Sequence, residues 1–294
     1  MWRGIGESMP PGAICNLKLA INMTWNKLLA WFVHFYTALG LVAAGGMAVA
    51  IVNGTPAAFR LAFALMLIAC VIDATDGTLA RYFRVKEVLP NFDGRRLDDL
   101  IDFHTYTSLP LLLVWQARLL PEGYDLWLLL PLLASAYGFC QVNVKTEDGY
   151  FLGFPSYWNI IAFYLYVLKP PGPLALGVLI FFAVLTFVPA RYLYPTHRGR
   201  LNRWTNQLGA VWCVLLIWIL ARLPDAPLPP AADPPQPVLP NADSTTLAIA
   251  WASLAFPAYY LLVSWYISLR IVLRARRLQS SKPRGELLSP PKHA

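Results

Sequence analysis

Residues 56–102 read PAAFRLAFALMLIACVIDATDGTLARYFRVKEVLPNFDGRRLDDLID. From Leu61 to Ile72 no residue is charged, yet the run closes on Asp73 and Asp76. A basic segment follows, and Asp98 and Asp102 then open the next apolar stretch. A helix that crosses a bilayer needs about 20 mostly apolar residues. A carboxylate at membrane depth costs about 2.5–3.5 kcal/mol, so acids in such helices mark function as a rule. Seven of the 16 Asp and Glu in the chain fall between 73 and 102, which makes this stretch the place to look for chemistry.

Outward from it, the same pattern of apolar runs fills the chain. Of the 294 residues 57% are hydrophobic and only 14% charged. A soluble domain carries about 25% charged residues, so the missing charge points to a surface that faces lipid. Apolar runs near 29–52, 58–82, 96–117, 124–143, 155–169, 173–195, 205–222 and 246–272 predict an all-α polytopic bundle of about eight transmembrane helices. Lys and Arg concentrate after the second run (Arg81, Arg84, Lys86, Arg95, Arg96), after the sixth (Arg198, Arg200, Arg203) and in the tail from Arg274 to Lys292. The opposite segments hold Arg118, Lys169 and Arg222. The positive-inside bias then places both termini in the cytoplasm. This placement accounts for the net charge of +8 without nucleic acid, which is not an expected partner.

Three regions are expected, with no internal repeat among them. Residues 1–28 form an N-terminal cytoplasmic or interfacial segment, in which 12–28 has the makings of an amphipathic helix with Lys18 and Lys27 toward headgroups. No cleavable signal peptide is expected, the first spanning helix serving for insertion. Residues 29–272 form the transmembrane domain, with a proline-rich external loop at 223–245, and 273–294 a basic cytoplasmic tail. Cys15, Cys70, Cys140 and Cys213 make no CxxC pair, so buried inert thiols are expected rather than zinc or disulfides.

The acids have a geometry that spacing alone supplies. Asp73 and Asp76 are three apart, and Asp98 and Asp102 four apart, so each pair shares a helix face. Two antiparallel helices joined on the cytoplasmic side can aim both pairs into one cavity. Four carboxylates there stay ionised only with cations among them, and hard oxygen donors suit Mg²⁺ or Mn²⁺. The competing reading is interfacial ion pairing with Arg81, Arg84, Arg95 and Arg96. It is the better one for Asp99, about 100° round the helix from Asp98; Asp93 and Glu87 read as solvated loop acids. Gly77 and Ala80 are small enough to let a bulky ligand reach the backbone.

Together these residues spell D-x2-D-G-x2-A-R-x12-G-x3-D-x3-D, from Asp73 through Asp76, Gly77, Ala80, Arg81, Gly94 and Asp98 to Asp102. The string resembles the signature of the CDP-alcohol phosphatidyltransferase family, bacterial membrane enzymes among them. Most members have a shorter gap between the Arg and the next Gly. The twelve-residue gap 82–93 resembles the bacterial branch that takes choline. So do WFVHFYTALGLVAA at 31–44, RRLDDLIDFHTYTSLP at 95–110, GFPSYWNIIAFYLYVL at 153–168 and FVPARYLYPTHR at 187–198.

The resemblance implies a transferase of phospholipid biosynthesis in the inner membrane, facing the cytoplasm. CDP-diacylglycerol and choline would give phosphatidylcholine and CMP, without a covalent enzyme intermediate. It implies a two-metal site, Mn²⁺ or Mg²⁺, on Asp73, Asp76, Asp98 and Asp102, with Asp102 also the base for the choline hydroxyl. Asp73, Gly77, Ala80, Arg81, Thr37 and His34 would hold the CDP moiety. Choline, a quaternary cation, asks for aromatic faces; Tyr106, one turn beyond Asp102, is the first candidate, then Tyr36, Tyr157 and Trp158. A homodimer is implied as well. Glycerol phosphate, inositol phosphate or serine as acceptor stays open, since Arg191 and Arg198 offer a basic pocket. A cation-coupled transporter is a further alternative.

Overall fold

The structure, a computed structural model, describes residues 11–141, 150–193, 200–225 and 242–280. Most of the 223–245 loop, the 281–294 part of the tail and Arg198 lie outside the described residues. Helix α1 runs Pro11–Asn53 without a break, so the expected interfacial segment and the first apolar run share one helix. It stops where Gly54 takes a left-handed φ of 69°, a conformation glycine adopts at no steric cost. Thr55 then caps α2 (Pro56–Tyr82) by accepting from the Ala58 N–H at 3.2 Å, with Pro56 fitted to the first helical position. The tight Asn-Gly-Thr-Pro link turns α2 back along α1, and the two helices pack together.

The chain next makes a short helix α3 (Val85–Val88) and enters α4 (Gly94–Asp102). Asp93 is the N-cap of α4: its Oδ1 accepts the Arg96 N–H at 3.3 Å while its carboxylate pairs with the Arg96 side chain at 3.2 Å. It stays exposed in the loop ahead of α4, as expected, and in addition caps that helix. Beyond Asp102 the backbone widens into a π-helical turn, Phe103–Ser108, before α5 (Leu109–Gln116). A 3-10 turn (Asp125–Leu128) leads into α6 (Leu129–Phe139).

Strand β1 (Tyr150–Leu152) precedes α7 (Trp158–Leu168) and α8 (Gly172–Phe187). The sixth apolar run was expected to stay helical to 195; it ends at Phe187. Val188 sits extended before Pro189 (φ −81°, ψ 121°), the conformation a following proline imposes. Residues Arg191–Leu193 form β2, antiparallel to β1 with Phe151 opposite Tyr192. Helix α9 (Arg200–Arg222) and the pair α10 (Ser244–Ser253) and α11 (Ala255–Ser280) complete the order. Asp243 caps α10 through the Thr246 N–H at 2.9 Å and the Thr246 hydroxyl at 2.8 Å. Those bonds, the backbone one first, hold its carboxyl below the usual aspartate range. The cap is complete above the usual aspartate pKa and is lost as pH falls through the lowered one.

Among the described residues, four stretches are long and apolar enough to cross a membrane: 24–53, 56–82, 201–222 and 244–274. Shorter apolar helices cover 125–139, 158–168 and 172–187. The chain is a multi-pass all-α membrane protein with one two-stranded ribbon among the described residues. Its core is apolar and aromatic. Phe63 of α2 meets Phe163 and Tyr166 of α7 with ring centroids 5.3 Å apart in each pair, and Phe59 meets Tyr166 at 5.5 Å. Large apolar side chains also cover the outside, among them Leu61, Ile68, Val211 and Val214, each at least half exposed. In water such a surface would drive aggregation; against acyl chains it carries no penalty. Cys140 and Cys213 belong to that outer surface and Cys70 is half-buried, so the thiols are free but less enclosed than expected.

Candidate metal and substrate site

Helices α2 and α4 bring the acids together. Asp73, Asp98 and Asp102 each offer a carboxylate oxygen, and the three oxygens lie within 4.8 Å of one another. All three residues are half-buried. Three negative charges at that separation repel strongly, and an all-oxygen donor set matches a hard divalent cation. The trio therefore fits the Mg²⁺ or Mn²⁺ that the spacing suggested.

The nearby cations engage other groups. Arg95 lies 4.0 Å from Asp99, Arg96 pairs with Asp93, and the Arg81 guanidinium donates to the Thr78 hydroxyl at 3.1 Å. Asp99 thus stands where its off-face position put it.

Asp76 is placed differently from its three partners. It lies outside the trio and is buried, only 7% exposed, and its Oδ2 accepts the Thr37 hydroxyl of α1 at 2.8 Å. Two positions that sequence suggested separately are one hydrogen-bonded pair. Beside it the Tyr36 hydroxyl and the Thr75 hydroxyl are 2.8 Å apart, so α1 is tied to the acidic end of α2 at two points.

His34 occupies a different corner. Its ring centroid is 4.3 Å from that of Phe92 and 5.9 Å from that of Trp31. It is 7% exposed, and its Nε2 meets no hydrogen-bond partner among the described residues. A buried polar nitrogen left unpaired is costly, and a ligand atom would relieve it. The α4 backbone comes close here because Gly94 has no side chain: a Cβ on Gly94 would stand 2.5 Å from His34 Cε1 and 3.0 Å from Nδ1. Gly94→Ala should push the histidine against Phe92 and Trp31 and destabilise the protein by about 1–3 kcal/mol, the usual cost of overpacking. A thermal-melt comparison in detergent checks it. Gly77 differs: a Cβ there would meet only the Arg81 Nη1, at an ordinary 3.5 Å.

The aromatic candidates separate by environment. Tyr106 donates its hydroxyl to Asp73 Oδ2 at 2.8 Å, and its ring is 6.4 Å from that of Tyr157. Tyr157 continues to Phe154 at 6.3 Å and to Tyr260 of α11 at 6.5 Å. Trp158 is fully buried with its indole N–H donated to Ser135 at 2.6 Å, the arrangement of a core residue. Sequence reasoning missed Tyr260. Nothing in its local pattern separates it from the other aromatics of α11; only the crossing of α11 near Tyr157 singles it out.

A small apolar cavity of about 40 Å³ is lined by Phe63, Met66, Leu67 and Cys70 of α2, Asn159, Ile160 and Phe163 of α7, and Leu216 and Leu220 of α9. Residues 63, 66, 67 and 70 form the i, i+3, i+4, i+7 stripe of one helix face, and Asp73 is the next residue on it.

Curated proteins of known name are similar to this chain over most of its length. The chain is 40% identical to the phosphatidylcholine synthase of Pseudomonas aeruginosa over 205 residues, 69% of this chain and 85% of that protein. It is 33% identical to that of Borreliella burgdorferi over 193 residues, 65% and 81% of the two chains. The same-named protein of Rhizobium johnstonii is 34% identical over 207 residues, 70% and 84% of the two. No family model matches the chain.

Proposed function

This chain belongs to the phosphatidylcholine synthase family, and we propose that it transfers the phosphatidyl group of CDP-diacylglycerol to choline with release of CMP. The observation that carries this reading is the carboxylate trio at the ends of two apolar helices. Its setting is an inner membrane crossed eight times, with the site and both termini cytoplasmic.

Asp73, Asp98 and Asp102, with Asp76 completing a second position, would hold Mg²⁺ or Mn²⁺. When bound, the ions neutralise the diphosphate and the leaving phosphate. The protein's own groups do the rest. Asp102 accepts the proton of the choline hydroxyl as the oxygen attacks the phosphorus that bears diacylglycerol. The phosphorus–oxygen bond to CMP breaks, and CMP leaves with the electron pair. A carboxylate is a weak base for an alcohol, so its value lies in being held within hydrogen-bond reach.

Thr37 fixes Asp76, and His34 Nε2 has bonding capacity left for the nucleotide. Gly77 and Ala80 leave room beside the α2 backbone, with Arg81 at the phosphates. Tyr157, next to Tyr106 and so next to the acids, is the best-supported aromatic face for the trimethylammonium; Tyr36 is a weaker one, its hydroxyl tied to Thr75. A homodimer is proposed on resemblance, and mass photometry in nanodiscs tests it.

The test of function is direct. Purified protein with labelled choline, CDP-diacylglycerol and Mn²⁺ should yield labelled phosphatidylcholine. Product only from glycerol phosphate, inositol phosphate or serine would sink the choline assignment.

Gly77→Ala separates a ligand role from a structural one. The added methyl makes no clash, and alanine favours a helix over glycine by up to about 1 kcal/mol. Stability should hold or rise while the KM for CDP-diacylglycerol increases at least about tenfold, one tenfold step being about 1.4 kcal/mol of lost contact. An unchanged KM would remove Gly77 from the nucleotide site.

A further inference from the structure

Beneath the acids, two hydrogen bonds join three parts of the chain. The Tyr106 hydroxyl donates to Asp73 Oδ2 at 2.8 Å. One helical turn before Asp73 on α2, the Cys70 Sγ accepts the Asn159 side-chain N–H of α7 at 3.4 Å. The carboxylate only accepts, so the tyrosine hydrogen is committed to it.

The π-helical turn, Phe103–Ser108, shapes the first of these bonds. In a regular α-helix, residue 106 would lie about 40° past residue 102. A π turn takes more residues to come round, so it offsets that advance and keeps Tyr106 stacked above Asp102.

We propose that Tyr106 is a positioning residue for the metal-binding acids. Its hydrogen bond fixes the Asp73 carboxylate in the orientation that brings one of its oxygens to those of Asp98 and Asp102. Partners of this kind behind a ligating carboxylate are worth about 10–100-fold in metal affinity. The inference rests on the metal reading above and gives Tyr106 a task separate from choline contact.

The experiment is Mn²⁺ binding to the full-length protein in nanodiscs without substrates, read as loss of the free-Mn²⁺ electron paramagnetic resonance signal. Tyr106→Phe keeps the ring and removes the hydroxyl. Its Mn²⁺ affinity should fall about 10–100-fold, its kcat should recover at high Mn²⁺, and its KM for choline should stay at the wild-type value. Wild-type Mn²⁺ affinity in Tyr106→Phe, where Asp98→Asn is clearly weakened, would overturn the proposal while leaving the metal site standing. Equal and negligible binding by wild type and Asp98→Asn would overturn both.

Discussion

Asp102→Asn is expected to lower kcat by about 10³-fold or more while leaving CMP binding largely intact. The substitution is nearly isosteric, so the turn from α4 into the π segment should persist. Two things would be lost at once: the group proposed to take the choline proton and one charge of the trio. General-base catalysis alone is worth about 10²–10⁴-fold, and a weakened metal position would add to that. CMP would keep the contacts proposed for Thr37–Asp76, Gly77, Arg81 and His34, which this change does not alter. Radiometric turnover and calorimetric CMP titration on the same preparation separate the two effects. Turnover at the wild-type rate would refute the role given to Asp102.

Neighbouring acids on one helix should behave in opposite ways. Asp98→Asn removes an oxygen donor from a set packed within 4.8 Å. With several kcal/mol of charge stabilisation at stake, and about 1.4 kcal/mol per tenfold in rate, a loss near 10³-fold follows, with weakened Mn²⁺ binding. Asp99→Asn loses a contact to Arg95 at 4.0 Å between side chains 67% and 47% exposed. Such pairs contribute about 0–1 kcal/mol, so activity should stay within about threefold. Comparable losses in both variants would mean that the site reads the total charge of α4 rather than the one face that α2 meets.

This contrast also shows how far the sequence could be read. Spacing put Asp98 and Asp102 on one face and Asp99 off it, because helical periodicity is a local property. Lipid exposure was legible for the same reason: it follows from composition and run length. Pairings across helices were not. That Thr37 would meet Asp76, or Tyr106 meet Asp73, depends on how α1, α2 and α4 are set against one another. Asp73 and Asp76 looked equivalent at a spacing of three, yet Thr37 holds Asp76 apart from the trio. The ribbon of β1 and β2 was missed because three residues are too few for an alternating pattern to show, although Pro189 did mark the helix end. The Asp93 cap was in reach, since Asp ahead of a helix start is a favoured cap. The π turn was not: FHTYTS holds neither proline nor glycine to announce it.

That turn has a bearing on how the protein can change. It works as a clutch between two lengths of one rod. Above it the polar positions 98 and 102 belong to the acidic site, Tyr106 lies within the turn itself, and below it Leu111, Leu113 and Val114 are indexed to the packed interior. An uninterrupted α-helix would lock the two indices together, and any repacking of the interior would swing the acids with it. Excising one residue from 103–108 engages the clutch. The rod would become a regular α-helix with its two lengths still in phase, because a π turn spends about one residue more on the same rotation, and the acids and the interior could then turn only together.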